Sequence, residues 1–443
     1  MKRVLALLCA VLLLPAIWGD AKAASRQPSI TFSQEEGGLF YSFALPGTEF
    51  VCLQYKNRDE QGMLTLRSSD GRFEGILPLS YTQTARQVTV TVLSVGQKWM
   101  FEQTAEYFPP GAPETWKPGK DSVRRVADLE MTPGAGGMGY RFTAPGHQAV
   151  ALNFSSVMQK GTFIITADEA GVFAGTLALP GTYARDLITL RVRDLRGQEL
   201  AKKAERTLFI PPDAGETAAE GPLSGVVVCL DPGHQQAEVK TMAIQLMPGS
   251  DQRVFTDNGG MAQGAVTLRK ESIAALEISY RTCAALRETG AEVYMTRWNE
   301  ETGVSNLGRA DYAHQVGADY FIRVHLNMAE KKTANAIDVY CPDNSPYAGL
   351  ALDKATYRLL ARAMADALSA QTGVKTARTH FTDRFIGNNW SQMPTFLVET
   401  GYMSSPANDI LLSHPAYQDR VARGIMEGVI AMEEVLRGTP AQE

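Results

Sequence analysis

The sequence predicts a multidomain chain: two tandem all-β repeats, sandwich-like and immunoglobulin-like, followed by an α/β domain with a central sheet flanked by helices. Three observations predict it. The segment Gly37-Gly38-Leu39-Phe40-Tyr41-Ser42-Phe43-Ala44-Leu45-Pro46-Gly47 returns 99 residues later as Gly136-Gly137-Met138-Gly139-Tyr140-Arg141-Phe142-Thr143-Ala144-Pro145-Gly146. Within each copy apolar residues alternate with polar ones, as in Val88-Thr89-Val90-Thr91-Val92, and Gly, Pro and Asp clusters separate the runs, which is the pattern of short antiparallel strands. From residue 224 onward the pattern becomes buried apolar runs alternating with amphipathic helical stretches, the signature of a sheet covered on both faces.

The first 23 residues read as a secretory signal peptide: Lys2 and Arg3, an apolar run over 4–18, and the small-residue pattern Ala21-Lys22-Ala23. That run is too short for a spanning helix and Pro15 interrupts it, so export with cleavage after Ala23 is expected, to the periplasm or to the cell wall and beyond, with no stable membrane anchor. Cys9 lies within the apolar run.

The repeats follow as modules over residues 28–110 and 126–212. At the same offset Tyr55 meets Phe154 and Gly62 meets Gly161; after a one-residue slip Phe73, Gly75, Leu77 and Leu79 meet Phe173, Gly175, Leu177 and Leu179. Both copies close on Pro-Pro, at Pro109-Pro110 and Pro211-Pro212. Several short strands in roughly 100 residues fit a sandwich, with a barrel as the alternative. Linkers rich in Pro, Gly and acidic residues occupy 109–121 and 211–222.

The α/β domain is expected over 224–438. Strands are read at 226–230, 292–296, 320–324 and 395–398, and helices at 272–289, 356–372 and 417–436. A formal net charge of -5 gives no footprint for nucleic acid or for an anionic membrane. Beyond Cys9, the cysteines Cys52, Cys229, Cys283 and Cys341 lack the short spacings of a zinc knuckle and read as buried small hydrophobes, with a disulfide between two of the last three left open.

Three features bring chemistry to strand ends. Asp231-Pro232-Gly233-His234 follows the first apolar run, and its Pro-Gly turn projects His234 from the sheet edge, where ligands of open α/β sheets bind. Arg269-Lys270-Glu271 opens a helix and places Glu271 in its first turn. Val324-His325-Leu326-Asn327 ends another buried strand in histidine. Two imidazoles and a carboxylate leave a fourth tetrahedral position open, the ligand set of a hydrolytic zinc site. Glu399 is chosen as the fourth functional group: a carboxylate at the end of a further buried strand must be solvated, paired or functional, because an unpaired buried charge is costly. A lone histidine after a strand serves more often in a turn or in packing, and a lone helical Glu is usually at the surface; the combination is what shifts the reading. His147, His314, His380 and His414 lack this context and are read as non-ligands.

Over about residues 226–436 the chain resembles the zinc-dependent N-acetylmuramoyl-L-alanine amidases of the amidase 3 family. The resemblance is carried, in order, by Leu230-Asp231-Pro232-Gly233-His234, Lys270-Glu271, Met295-Thr296-Arg297, Ser305-Asn306-Leu307-Gly308-Arg309-Ala310, the stretch 318–327 ending in His325-Leu326-Asn327, and the stretch 396–406 beginning Phe396-Leu397-Val398-Glu399-Thr400-Gly401. It implies one Zn2+ held by His234, Glu271 and His325, with Glu399 catalytic. It also implies cleavage of the amide between the lactyl group of N-acetylmuramic acid and the L-alanine of the peptidoglycan stem peptide. Gln235-Gln236 stand where the family often has two glycines, Leu326 replaces a usual alanine, and a Gly-containing segment, 235–263, separates the first two ligands. The alternatives are a catalytically silent amidase-like protein that binds wall polymer or activates a partner, and a different zinc hydrolase on a related scaffold. The β-modules are expected to target or position the domain through a wall polymer or a protein partner, or to act as spacers.

Overall fold

The structure, a computed structural model, describes residues 28–107, 128–206 and 220–438 apart from short internal stretches. The expected signal peptide, the linker at 109–121 and most of that at 211–222 lie outside the described residues.

The N-terminal half is β-rich. Its first unit comprises β1 (Thr31–Glu35), β2 (Gly38–Ala44), β3 (Phe50–Lys56), β4 (Gln61–Arg67), β5 (Arg72–Leu77), β6 (Arg86–Ser94) and β7 (Met100–Tyr107). Its second comprises β8 (Glu130–Gly134), β9 (Gly137–Thr143), β10 (Ala149–Ser155), β11 (Lys160–Thr166), β12 (Val172–Ala178), β13 (Leu187–Arg193) and β14 (Glu199–Arg206). The two units share one strand order: sheets β1-β2-β5 and β4-β3-β6-β7 in the first, β8-β9-β12 and β11-β10-β13-β14 in the second. All pairs are antiparallel, and alternation sorts the side chains: on β6, Val88, Val90 and Val92 are fully buried while Thr89 and Thr91 look outward to Thr104 and Glu102. The turns repeat as well. Gly47 and Gly146 hold left-handed φ values of 77° and 78°, a conformation that disfavours any side chain. In each unit both sheets contribute to one core, with Leu39, Phe43, Leu53 and Val90 in the first and Met138, Phe142, Leu152 and Leu190 in the second.

The C-terminal domain comprises β15 (Val227–Pro232), a hairpin of β16 (Ala243–Gln245) and β17 (Arg253–Phe255), α1 (Glu271–Glu288), β18 (Glu292–Met295), α2 (Asn306–Gln315), β19 (Tyr320–Asn327), β20 (Ile337–Cys341), α3 (Pro346–Ala351), α4 (Lys354–Thr372), β21 (Ala377–Phe381), α5 (Ile386–Asn389), β22 (Thr395–Tyr402), α6 (Pro406–Leu412) and α7 (Pro415–Gly438). Its central sheet runs β18-β15-β19-β22-β20-β21 and is mixed: β18, β15, β19 and β22 are parallel, and β20 joins β22 antiparallel. The main core lies under α1, α4 and α7, with Leu276, Leu360, Met364 and Ile425 against Val228, Ile322 and Val398. A smaller core, with Ala310 and Ala313 on Cys229 and Phe321, lies under α2 on the other face. β20 and β21, short and partly polar (Asp338, Arg378, His380), are strands that periodicity did not reveal.

Cys52, Cys229, Cys283 and Cys341 are all free and buried, so the open disulfide is not formed among the described residues. No described helix is long and apolar enough to cross a membrane.

Candidate metal centre

The site is built where three neighbouring parallel strands end. β15 delivers His234, β19 delivers His325 and β22 delivers Glu399, because β15, β19 and β22 lie side by side in the same direction. His325 and Glu399 stand opposite each other in the β19–β22 register. Glu271, the first residue of α1, approaches from the helix side, and its N–H donates to the Ala262 carbonyl at 2.9 Å.

Ligand-type atoms of His234, Glu271 and His325 all lie within 4.8 Å of one another. His234 Nε2 is 3.2 Å from Glu271 Oε2, and His325 Nδ1 is 3.0 Å from Glu271 Oε1. The two imidazoles meet edge to face, with centroids 5.0 Å apart at 78°. Backbone donors fix the carboxylate between them: the Ala262 N–H reaches Oε2 at 2.8 Å and the Leu326 N–H reaches Oε1 at 3.1 Å. Gly233 makes room for this packing, since a Cβ there would sit 2.5 Å from the His325 ring.

Electrostatics sort the groups. Burial works against the Glu271 anion, but hydrogen bonds from His234 and His325 outweigh it and hold this carboxyl well below the usual range. Burial pushes His325 down to about 4 against the pull of Glu271, so it is a neutral imidazole at pH 7, the form that ligates metal. Glu399 is driven the other way, well above the usual carboxyl range, by burial first and then by the Glu271 and Asp338 charges. Its Oε2 is buried and has no hydrogen-bond partner among the described residues; the same holds for His325 Nε2. Two such atoms side by side at one cleft leave room for a ligand or reactant to meet them. Two imidazoles and one carboxylate, converging with a fourth side open to a cleft of about 260 Å³ that Glu399 also lines, fit a divalent cation.

A second ring of residues holds the first. His234 has the left-handed φ of 56°, strained for a non-glycine residue, and the turn that carries it is clamped. Arg297 Nε donates to the Pro232 carbonyl at 3.0 Å, Arg297 Nη2 to the Gly233 carbonyl at 2.9 Å, and Arg309 Nη2 to the His234 carbonyl at 3.0 Å. Fully buried Asp231 binds Arg309 and, through Oδ2, Arg323 Nε at 2.8 Å, while Thr296 Oγ1 donates to Oδ1 at 2.6 Å. Those charges and hydrogen bonds outweigh burial and keep Asp231 strongly acidic. Arg309 owes its place to α2, whose N-cap Ser305 accepts the Gly308 N–H. Beyond Glu399, Asp338 sits directly opposite on β20 and accepts from Arg378 Nε at 2.6 Å, Tyr402 OH at 2.7 Å and His380 Nε2 at 2.7 Å.

The structure thus brings together His234, Glu271, His325 and Glu399, the residues expected from sequence. His314, His380 and His414 lie outside the cluster, and His147 belongs to the second β-unit. Sequence reading assigned no role to Arg297, Arg309 and Arg323, although all three fall inside the quoted family segments; an arginine inside the apolar run of β19 was the available signal for Arg323. It missed Asp338 altogether.

Fold and site together define an α/β domain that presents a His-Glu-His cluster beside the Glu399 carboxyl, a donor set of the kind found in metal-dependent hydrolases. Residues 228–431 match the sequence profile of the Amidase_3 family, N-acetylmuramoyl-L-alanine amidase, and the C-terminal domain belongs to that family. The germination-specific N-acetylmuramoyl-L-alanine amidase of Bacillus subtilis is 29% identical over 217 residues, a match covering 47% of this chain and 80% of that protein. The N-acetylmuramoyl-L-alanine amidase LytC of the same organism is 26% identical over 212 residues, covering 48% of this chain and 36% of that protein. A solved structure, the N-acetylmuramyl-L-alanine amidase Ami1 from Mycobacterium abscessus, matches at 20% identity with a TM-score of 0.42, covering 48% of this chain and 100% of that one.

Proposed function

We propose that the chain is an exported, zinc-dependent peptidoglycan amidase that cleaves the amide between the lactyl group of N-acetylmuramic acid and the L-alanine of the stem peptide. The observation that carries this reading is the convergence of His234, Glu271 and His325 beside the unpartnered Glu399 carboxyl, within a domain of the amidase family. His234, Glu271 and His325 would hold one Zn2+. When bound, zinc supplies an acidified water and polarises the scissile carbonyl.

The chain's own residues supply the rest. Glu399, recessed beside His325 with one oxygen free, takes the proton of the attacking water and delivers it to the departing nitrogen of L-alanine. Its raised affinity for a proton favours the uptake half of that transfer. Asp231, Arg297 and Arg309 keep the His234 turn in its strained conformation, so the ligand geometry does not rearrange as substrate enters. The catalytic unit is taken as 224–438. The two β-units are taken as immunoglobulin-like sandwiches over 28–110 and 126–212, supported by their shared three-plus-four strand order. They position the amidase domain on the wall, by contact with wall polymer or with a protein partner.

Digestion of purified peptidoglycan by the protein lacking residues 1–23 tests the reading, with products read by mass spectrometry. Expected is the release of stem peptides beginning with L-alanine, abolished by chelator and restored by zinc. Release of glycan fragments, or of peptides cut inside the stem, would replace the proposed bond by another.

A further inference from the structure

The first β-unit reaches into the C-terminal domain. Phe50, which opens β3, is 3% exposed, and it is buried among residues of that domain's main core. Its ring meets His414 edge-on at 4.9 Å and Tyr417 at 6.3 Å, and the Arg420 guanidinium lies over it at 5.4 Å. Arg420 also donates to Glu49, which accepts Arg67 Nε at 3.0 Å. Val95, whose N–H donates to the Phe50 carbonyl at 3.1 Å, packs on the same core.

The repeat supplies an internal control. The position matching Phe50 in the second unit is Ala149, which opens β10 and faces Thr166 as Phe50 opens β3 and faces Arg67. A unit of this strand order is complete with a methyl group there, so the phenyl ring serves the contact and not the unit.

Behind the contact lies the loop that places a metal ligand. β3 packs on α6, and His414 forms the turn between α6 and α7, its N–H donating to the Leu411 carbonyl at 2.8 Å. Fully buried Asp409 of α6 accepts the Val266 and Thr267 N–H groups at 2.7 Å each and Thr267 Oγ1 at 2.6 Å. Gly264 lies so close that any Cβ would collide with that carboxylate. Leu268, in the same loop, has a left-handed φ of 57°. The loop then returns to Glu271, whose N–H and carboxylate are both tied to Ala262.

We propose that the first β-unit is a positioning element of the metal centre: the Phe50–Arg420–Glu49 contact seats α6 so that Asp409 holds loop 262–270, and with it Glu271, in ligand geometry. The inference rests on the zinc reading above. It is a claim of coupling through contiguous packed elements, and it is read where metal binding and loop opening are measured.

The test uses the full chain with Phe50→Ala, the residue its own repeat carries, and Arg420→Met, which removes the contact from the other side without touching the β-unit. Zinc affinity is measured by chelator competition, and amide exchange is followed across 262–270 and, as a control, across β10–β13. Expected in both variants is zinc binding weaker by about tenfold, the size of effect seen when a ligand's supporting residue is lost, with faster exchange at Val266, Thr267 and Glu271 and unchanged exchange in the control. Phe50→Leu restores most of both. Unchanged zinc affinity in both variants overturns the proposal, even if loop exchange quickens. If the parent protein binds no zinc, the zinc reading itself fails; loop exchange then decides the coupling alone, quickened exchange supporting it and unchanged exchange ending it.

Discussion

The β-units and the α/β domain bury apolar residues in the same way and charge in opposite ways. Among the described residues, Asp194 is the one carboxylate or guanidinium buried in the N-terminal half, whereas the C-terminal domain buries Asp231, Arg269, Glu271, Glu277, Arg297, Arg309, Arg323, Asp338 and Asp409. Taking an ion out of water costs several kcal/mol unless partners compensate, so buried charge survives where a geometry must be held that apolar packing does not specify. In this domain it holds a strained turn through Asp231, the loop that leads into Glu271 through Asp409 and the seam between α1 and α7 through Glu277, which binds Arg269 and accepts Gln418 Nε2 at 2.8 Å. Among their described residues the β-units have no such site, and ladders with alternating side chains suffice for them.

That contrast is broken or sharpened by four measurements, taken from the largest expected effect to the smallest. Glu399→Ala removes the proposed proton carrier, and turnover on peptidoglycan is expected to fall by about a hundred- to ten-thousand-fold with zinc stoichiometry unchanged by metal analysis. Full turnover in that variant would take Glu399 out of the chemistry. Asp231→Ala leaves the Arg309 and Arg323 guanidinium groups facing each other in the interior. The expected loss is about 3–5 kcal/mol, read from denaturant unfolding of the C-terminal domain.

Leu152→Ala opens a cavity in the second β-unit's apolar core and is expected to cost about 2–5 kcal/mol in that unit's own transition, with peptidoglycan turnover unchanged. A fall in turnover would tie that unit to the site as well. The smallest effect lies at the seam. His414, packed against Phe50, has its pKa pushed down to about 4 from 6.5 by burial, reinforced by Arg67 and Arg281. A folded-state value below the unfolded one means that its contribution is complete above pH 6.5 and is lost as the pH falls towards 4. Thermal stability is therefore expected to fall over that window, and His414→Gln should make the fall shallower; an unaltered slope would remove His414 from the acid response.

His234, His325 and Glu399 were legible because each is a chemically distinct residue at the end of an apolar run, and parallel strands place such ends on one edge; Glu271 was legible as a carboxylate opening a helix. The arginine clamp was not legible in its role. Arg297, Arg309 and Arg323 act on backbone carbonyls and on one carboxylate reached across 64 to 92 residues of chain, and a lone arginine in sequence reads as surface. β20 and β21 escaped notice because Asp338, Arg378 and His380 interrupt the apolar alternation that betrays a strand, and their pairing with one another replaces it.

By itself the sequence determined the repeat and its strand-rich halves, the change to an α/β pattern near residue 224, and which four side chains to look for at the strand ends, since these follow from local periodicity and residue type. Only the tertiary structure decided the mixed order of the central sheet, the left-handed turn under His234, the Asp231 and Asp338 networks and the seating of Phe50 in the neighbouring domain. Each of those is a balance between desolvation and a partner distant in sequence, and that balance exists only once the chain has brought the two together.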